Sequence, residues 1–320
     1  PIHLKKGKLY MKKISFVFSA VLLLSLSVKN ATAQYYFYDD KYYDTPLMFE
    51  FGASVGVMNC LTDIGGNKGI GKKFGKDLNL GKTQFAGTVF LNATYQYMFA
   101  LRLEATFGQV TGDDKILRKV KESTFGRYER NLNFKSKITD FMLGFEIHPL
   151  YIATHNKDDK EPPLFSPYLF AGVGFFSFKP QTTINGKTID LQPLSTEGQG
   201  FVEYPDRKPY KLNDINIPLG LGVKYELGSA LSLRAEFIYR KLNTDYLDDV
   251  STTYIDPNLY ANYFTGAKLT NALLVNDRQY ELDPAHVTSP GDQRGNSKKN
   301  DAYFTFSIKV GYTFGRQKIR

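Results

Sequence analysis

The sequence is poor in residues on which several classes of protein depend. Its one cysteine, Cys60, excludes an intramolecular disulfide, and tryptophan is absent. We expect Cys60 to be a small apolar residue at the end of a strand. Beyond a short apolar stretch near the N-terminus, no segment offers the run of about 18 apolar residues that a transmembrane helix needs. A form of this chain that crosses a membrane must therefore be a closed β-barrel, because only closure satisfies every backbone polar group in lipid.

The first part of the chain has the features of an export signal. Two lysines precede the apolar stretch Ile14–Val28, and Ala31-Thr32-Ala33 supplies the small residues that signal peptidase requires. We predict cleavage between Ala33 and Gln34. The alternative, an uncleaved anchor helix, is disfavoured because the apolar stretch is too short.

Three regions follow from this prediction: an upstream extension plus cleaved signal peptide (1–33), a periplasmic N-terminal segment (34–45) and an outer-membrane β-barrel (46–320). Residues 1–10 resemble an over-extended reading frame. The chain has a formal charge of +9, but six lysines and no acidic residue precede the predicted cleavage, which leaves +3 on the mature chain. So small a charge, spread over mixed segments, disfavours nucleic-acid binding.

Eight later segments alternate apolar and polar residues with a period of two. Such alternation over about 10 residues is typical of transmembrane strands. The predicted strands are Leu47–Val57, Phe85–Tyr97, Leu101–Gly108, Thr139–Ile147, Tyr168–Phe175, Ile215–Leu227, Leu231–Arg240 and Ala302–Phe314. We predict an all-β fold: an eight-stranded, antiparallel, up-and-down transmembrane β-barrel with long extracellular loops.

The two phases of the alternation differ in chemistry. One phase is aliphatic and aromatic and is expected to face lipid, whereas the other holds glycine, hydroxyl and charged residues and is expected to face the interior. A barrel of eight strands encloses little but side chains, and unpaired charge there would be costly. We therefore predict that the inward charges form a paired ionic network that plugs the lumen. Its predicted members are Glu50, Arg102, Glu104, Glu146, Glu226, Arg234, Glu236 and Lys309.

The lengths of the connections indicate an orientation. Tight turns lie near Phe99 and Gly228, a moderate link spans Pro149–Ser166, and the four remaining links are long. Short links at one rim and long links at the other are typical of outer-membrane barrels, and an even strand number puts both termini at the short, periplasmic rim. A soluble lipocalin-like carrier would show the same pattern turned inside out.

Three groups of residues resemble chemical sites. Gly66–Lys73 nearly fits a phosphate-binding loop but lacks the final hydroxyl residue, so a basic surface loop is the preferred interpretation. Asp245, Asp248 and Asp249 could hold calcium, although solvated loop acids are commoner. The histidines show no zinc-binding spacing, and no nucleophile–base motif is recognisable. We expect no enzymatic activity, no cofactor and no metal.

Several stretches resemble a family of Bacteroidetes outer-membrane β-barrels of largely unassigned function. They are Met48–Gly56, Leu61–Gly65, Arg130–Phe134, Pro167–Gly174, Ile217–Gly222 and Arg240–Ser251. The closing strand, Tyr303–Phe314, resembles the signal that the barrel-assembly machinery reads, although six residues follow it.

The resemblance implies a non-enzymatic role in the outer membrane, because one member of the family belongs to the type IX secretion system. It implies contact with the periplasmic ring of the lipoprotein PorK and its partner PorN, through residues 34–45 and the link Pro149–Ser166. The tyrosines of 34–45 could equally just lead into the barrel. The alternatives are an adhesion or binding barrel that acts through its extracellular loops and, third, the lipocalin-like carrier.

Overall fold

A computed structural model describes residues 42–43, 46–65, 80–124, 126–154, 164–228, 230–285, 288–314 and 317–318. The predicted signal peptide, its cleavage between Ala33 and Gln34, and the loop Gly66–Lys73 lie outside these residues and stay predictions.

Eight long strands form the body of the fold. They are β1 (Leu47–Leu61), β2 (Gln84–Tyr95), β3 (Phe99–Asp113), β4 (Asn133–Ile147), β5 (Phe165–Ile184), β6 (Asn213–Glu226), β7 (Leu231–Leu242) and β8 (Ala302–Phe314). Each pairs antiparallel with its neighbours, and β8 also pairs with β1 from Phe314↔Phe49 to Ala302↔Leu61. The sheet is therefore closed, as the alternation predicted.

Several strands extend beyond the predicted ends towards the long connections. β5, for example, reaches Ile184, and β3 reaches Asp113. In these extensions the outward side chains are polar, such as Lys137 and Lys179, while the inward ones, such as Phe178, are buried. In the extensions the outward side chains are therefore polar and the inward ones apolar, which is the reverse of the pattern in the rest of each strand. For this reason the predicted strands end too early.

The long-loop half of the interior is an apolar core rather than a polar channel. Its buried side chains are Met58, Cys60, Ile64, Val110, Leu132, Phe134, Ile138, Phe176, Phe178, Leu242, Leu247, Val250 and Tyr303. The prediction that inward residues are glycine, hydroxyl or charged is wrong for this half. Cys60 lies near the end of β1 and packs in this core, the position expected for it.

One rim of the barrel carries the short connections and the chain ends. A three-residue turn links β2 to β3, a four-residue link joins β6 to β7, and the helix Pro149–Thr154 follows β4. Beyond this rim the backbone of Tyr42–Tyr43 pairs with that of Gln317–Lys318. Short links and chain ends thus share one rim.

The described residues of the four long connections meet at the other rim and fold into what we call the cap (residues 61–65, 80–84, 113–124, 126–133, 184–213, 242–285 and 288–302). It contains the short strand Lys187–Asp190, which pairs with the end of β5 through a two-residue turn. Asn185 and Gly186 both have positive φ (49° and 77°), the conformation that a type I′ turn requires.

The cap also holds short helices and a second apolar core. Its helical segments are Leu80–Lys82, Asp114–Ser123, Arg127–Arg130, Gln192–Leu194, Pro257–Leu259, Tyr260–Tyr263, Gly266–Asn276 and Gln279–Glu281. The core consists of Ile184, Ile189, Leu191, Leu194, Phe201, Ile255, Tyr260, Phe264, Ala272 and Val275. Across the described parts of the chain, no helix is long and apolar enough to span a membrane.

Candidate functional site

Charged side chains fill the short-turn half of the barrel interior. Burial of charge at this density requires that each group find a partner of opposite sign. The cations are Arg102, Lys224, Arg234, Arg240 and Lys309, and the carboxylates are Glu50, Glu104, Asp140, Glu146, Glu226 and Glu236; all are buried.

Two arginines form the centre of this network. Arg102 pairs with Glu146, and its Nη1 lies 2.5 Å from Glu236 Oε2 and 3.1 Å from Glu104 Oε2. Arg234 Nη2 lies 2.5 Å from Glu50 Oε2, and its Nη1 lies 3.0 Å from Glu146 Oε2. Glu146 thus joins the two guanidinium groups. Each of them belongs to an Arg-x-Glu sequence, Arg102-Leu103-Glu104 in β3 and Arg234-Ala235-Glu236 in β7.

Two lysines connect the remaining carboxylates. Lys309 Nζ contacts Glu104 and lies 2.6 Å from Glu236 Oε1. Lys224 Nζ lies 2.7 Å from Glu226 Oε1 and 3.4 Å from Glu50 Oε2. With these contacts the structure brings all eight residues of the predicted network together, and it adds Lys224 to them.

The network has a second branch that was not predicted from the sequence. Arg240 Nε lies 2.7 Å from Asp140 Oδ2, and Asn216 Nδ2 donates to Asp140 Oδ1 over 2.8 Å. Arg240, Asp140 and Lys224 all stand on the inward phase of their strands. The signal was therefore present in the alternation and was not followed to every charge.

Aromatic rings pack against the charged groups inside the barrel. The guanidinium carbon of Arg102 lies 4.8 Å from the ring centre of Phe170 and 5.6 Å from that of Tyr168. Tyr168 Oη also donates to Glu236 over 2.7 Å, and Phe90 stacks near both central arginines. Tyr168 and Phe170 stand on the phase of β5 that was predicted to face inward, but the chemistry predicted for that phase was glycine, hydroxyl and charge. The inward ring of Phe90 in β2 was not assigned to either phase.

Three of the inward glycines, Gly52, Gly144 and Gly222, make room for these rings. A Cβ at Gly144 would overlap the ring of Phe170, and one at Gly222 would overlap Tyr168. From the sequence we expected eight inward glycines to make space for large charged side chains: Gly52, Gly56, Gly108, Gly144, Gly172, Gly174, Gly220 and Gly222. This expectation is wrong, because the atoms nearest to a Cβ at each of them belong to a ring, an uncharged side chain or the backbone. Gly311, which was not among the eight, is the position where a Cβ would overlap the Glu50 carboxylate.

The network ends at the short-turn rim in a hydroxyl–imidazole–carboxylate chain. Ser166 Oγ lies 2.7 Å from His148 Nδ1, and His148 Nε2 lies 3.5 Å from Glu146 Oε2. The order resembles that of a hydrolytic triad. Both Ser166 and His148 are only 3% exposed, and Glu146 is already held by two arginines. We therefore assign these contacts to positioning of the link between β4 and β5.

Buried ion pairs also tie the four connections of the cap together. Arg130 forms a forked pair with Asp114, with Nε 2.8 Å from Oδ2, and donates to the carbonyls of Asp63 and Arg294 over 2.8 and 2.6 Å. Arg294 Nη1 lies 2.9 Å from Glu197 Oε1. Asp63, Asp114, Arg130, Glu197 and Arg294 together come from all four long connections. Hydrogen bonds and ion pairs therefore join these connections into one unit.

The acidic group just past β7 is part of this unit. Asp245, Asp248 and Asp249 are at most 8% exposed, so the preferred interpretation as solvated loop acids is wrong. Asp248 accepts from the backbone N–H groups of Ile64 and Val250, and Asp249 accepts from Thr196 Oγ1 and Tyr210 Oη. Within the described ranges, no cluster of three or more His, Cys, Asp or Glu side chains is placed to hold a metal ion.

Comparison with known proteins gives weak likenesses. No family model and no curated protein matches the chain. Similar solved structures include the attachment invasion locus protein Ail of Yersinia pestis (10% identity, TM-score 0.34, covering 84% of this chain and 97% of Ail). Neisserial surface protein A is 10% identical, with TM-score 0.34 and coverage of 84% and 96%. OprG of Pseudomonas aeruginosa is 10% identical, with TM-score 0.34 and coverage of 86% and 98%. These likenesses carry no weight for function, and the closed barrel is established by the chain's own strand pairing.

Removal of one central cation should destabilise the barrel. In R102M the carboxylates of Glu146 and Glu236 lose a buried partner, which should lower the free energy of unfolding by about 3–5 kcal/mol. Urea unfolding of the barrel in phospholipid vesicles measures this loss, and R118Q, at an exposed arginine of the cap, is the control. The double variant R102M/E146Q should lose less than the two single variants together. An R102M barrel as stable as wild type would contradict the role given to Arg102.

The cap should be more stable in mild acid because of Asp249. Burial raises the pKa of its carboxyl to about 6, from an ordinary 3.8, although Arg294, Thr196 and Tyr210 favour the charged form. Since the folded-state pKa is the higher one, the protonated carboxyl stabilises the cap. This contribution is complete below about pH 4 and is lost as the pH rises through about 6.

Hydrogen exchange of residues 242–302 at about pH 5 and pH 8, corrected for the intrinsic exchange rate, measures this effect. We expect greater protection at the lower pH, and we expect D249N to remove most of the difference because its side chain stays neutral. D206N, at an exposed position of the cap, should behave like wild type. A D249N cap with the full wild-type pH dependence would refute the assignment.

Proposed function

We propose that this chain is a non-enzymatic outer-membrane β-barrel, a PorG-like component that anchors a type IX secretion or gliding apparatus to the outer membrane. The observation that carries the proposal is the combination of an apolar outer wall with a lumen that paired charges and an apolar core fill. Such a barrel has its available surfaces at its two rims.

The exterior of the barrel supports a place in a membrane. Apart from the polar extensions near the cap, most outward side chains of the eight strands are aliphatic or aromatic, and many are half exposed or more, such as Val55 (75%) and Phe85 (88%). Burying this surface in acyl chains removes the cost of exposing it to water. A lipocalin-like carrier would have its apolar phase inside, which is the reverse of this arrangement.

The interior supports a role other than transport. The charges of the short-turn half are compensated within the wall, and the apolar core and the cap close the other half. An export signal and an even number of strands favour an orientation in which the short-turn rim lies in the periplasm and the cap lies outside.

The short-turn rim offers a surface for a periplasmic partner. The helix Pro149–Thr154 exposes Leu150 (46%) and Ile152 (41%), while its Tyr151 is buried against Tyr97. Both chain ends leave the barrel at the same rim. The resemblance to the secretion-system barrels supports a ring of PorK-like and PorN-like proteins as the partner.

Pull-down from cross-linked cells tests this proposal. Deletion of Gln34–Tyr43, and separately L150S/I152S, should reduce the recovered ring proteins while the barrel remains in the outer-membrane fraction. V202S, at an 83% exposed residue of the cap, is the control because it lies at the opposite end of the barrel. Unchanged recovery of periplasmic proteins with both short-rim variants would refute the anchor role.

A second candidate is an adhesion or binding barrel that acts through the cap. The observation that favours it is the set of hydrogen bonds and ion pairs by which Arg130 and Arg294 hold the connections of the cap together. Loops held in place on a barrel are a common place for binding. The same cross-linking experiment separates the candidates: partners captured from the cell exterior, and lost when the cap is shaved by protease, would favour this one.

A further inference from the structure

We propose that a patch of three lysines on the outer wall of the barrel binds the phosphate groups of lipids in the membrane leaflet at the cap side. The patch consists of Lys135 and Lys137 on β4 and Lys179 on β5. This inference rests on the proposed place of the barrel in a membrane, and it names the lipid chemistry that one part of the wall selects.

The three side chains lie on the outward face of adjacent strands. Lys137 is directly opposite Lys179 in the strand register, and Lys135 is opposite Gln181. The intervening residues of β4, such as Ser136 and Ile138, are buried inside. Lys137 and Lys179 are exposed and Lys135 is partly exposed.

The position of the patch matches the boundary of a lipid leaflet. Along the two strands, the outward pairs run from Phe141↔Phe175 through Thr139↔Ser177 to Lys137↔Lys179. With a rise of about 3.3 Å per residue, the lysines lie roughly 13 Å along the strand from the phenylalanines. Apolar, then hydroxyl, then cationic is the order met on passing from acyl chains to headgroup phosphates.

The two rims of the outer wall differ in this respect. At the short-turn rim the outward side chains of the described strands are uncharged and mostly aromatic or aliphatic, such as Phe49, Tyr225, Tyr312 and Phe314. These suit an interface of rings and glycerol groups. Cations in adjacent strands at one rim alone therefore indicate selection of anions in one leaflet.

The pairing of Lys137 with Lys179 strengthens the inference. Like charges directly opposite each other on neighbouring strands destabilise a sheet unless an anion lies between them. One carboxylate does approach: Asp190 Oδ2 lies 2.7 Å from Lys179 Nζ. This single acid leaves the group of three lysines with an excess of positive charge, which a lipid phosphate can compensate.

Retention of a phosphorylated lipid tests the proposal. The full-length mature barrel is reconstituted in phosphatidylcholine vesicles with diphosphoryl lipid A, re-extracted into neutral detergent, and analysed for bound lipid A by native mass spectrometry. We expect wild type to retain lipid A. We expect K135Q/K137Q/K179Q to bind it at least about tenfold more weakly, because each lysine near an anionic lipid contributes to binding.

Matched controls separate the possible outcomes. K119Q/K208Q/K298Q removes three exposed lysines of the cap and should retain lipid A like wild type. Dephosphorylated lipid A should not be retained by any variant, and competition by free inorganic phosphate at millimolar concentration should be weak. Equal retention by the two triple variants would overturn the patch while leaving the barrel in its membrane. A chain that does not insert into phosphatidylcholine vesicles, whether they contain phosphorylated or dephosphorylated lipid A, would instead refute the proposed function.

Discussion

Charge compensation inside a closed wall is the constraint on which the rest of the structure depends. Eight strands close on themselves when β8 pairs with β1, and the enclosed space admits side chains but little else. Arg102 and Arg234 can be buried there because Glu146 lies between them and each also pairs with a further carboxylate, Glu236 or Glu50. The ion pairs that stabilise the wall are thus the same groups that fill the lumen between the strands.

The fold was largely predictable from the sequence because its two faces have opposite chemistry. A period of two assigns every residue of a strand to one face, and an inward arginine must meet an inward carboxylate in so narrow a barrel. Which carboxylate it meets was not predictable, since that depends on the stagger between strands. Membership of the network was predictable, and Asp140 and Arg240 also stand on the inward face, so the alternation could have included them.

The cap could not be predicted in the same way. Its contacts join residues far apart in the chain, such as Asp63 with Asn296 and Arg130 with Arg294, and no local pattern reports them. The sequence predicted only that these connections are long extracellular loops, and the preferred interpretation of the three aspartates after β7 as solvated acids was wrong. The Asn185-Gly186 turn is the exception, because that dipeptide is a strong local hairpin signal and could have been used.

The central claim is that the interior of the barrel is closed from the ionic network to the cap. The most direct test is the ion conductance of the purified wild-type barrel in a planar lipid bilayer, with a porin as the positive control. The account predicts insertion without conductance steps at any moderate voltage. Reproducible ohmic steps from the inserted wild-type barrel would show an open path through the network and would contradict the account.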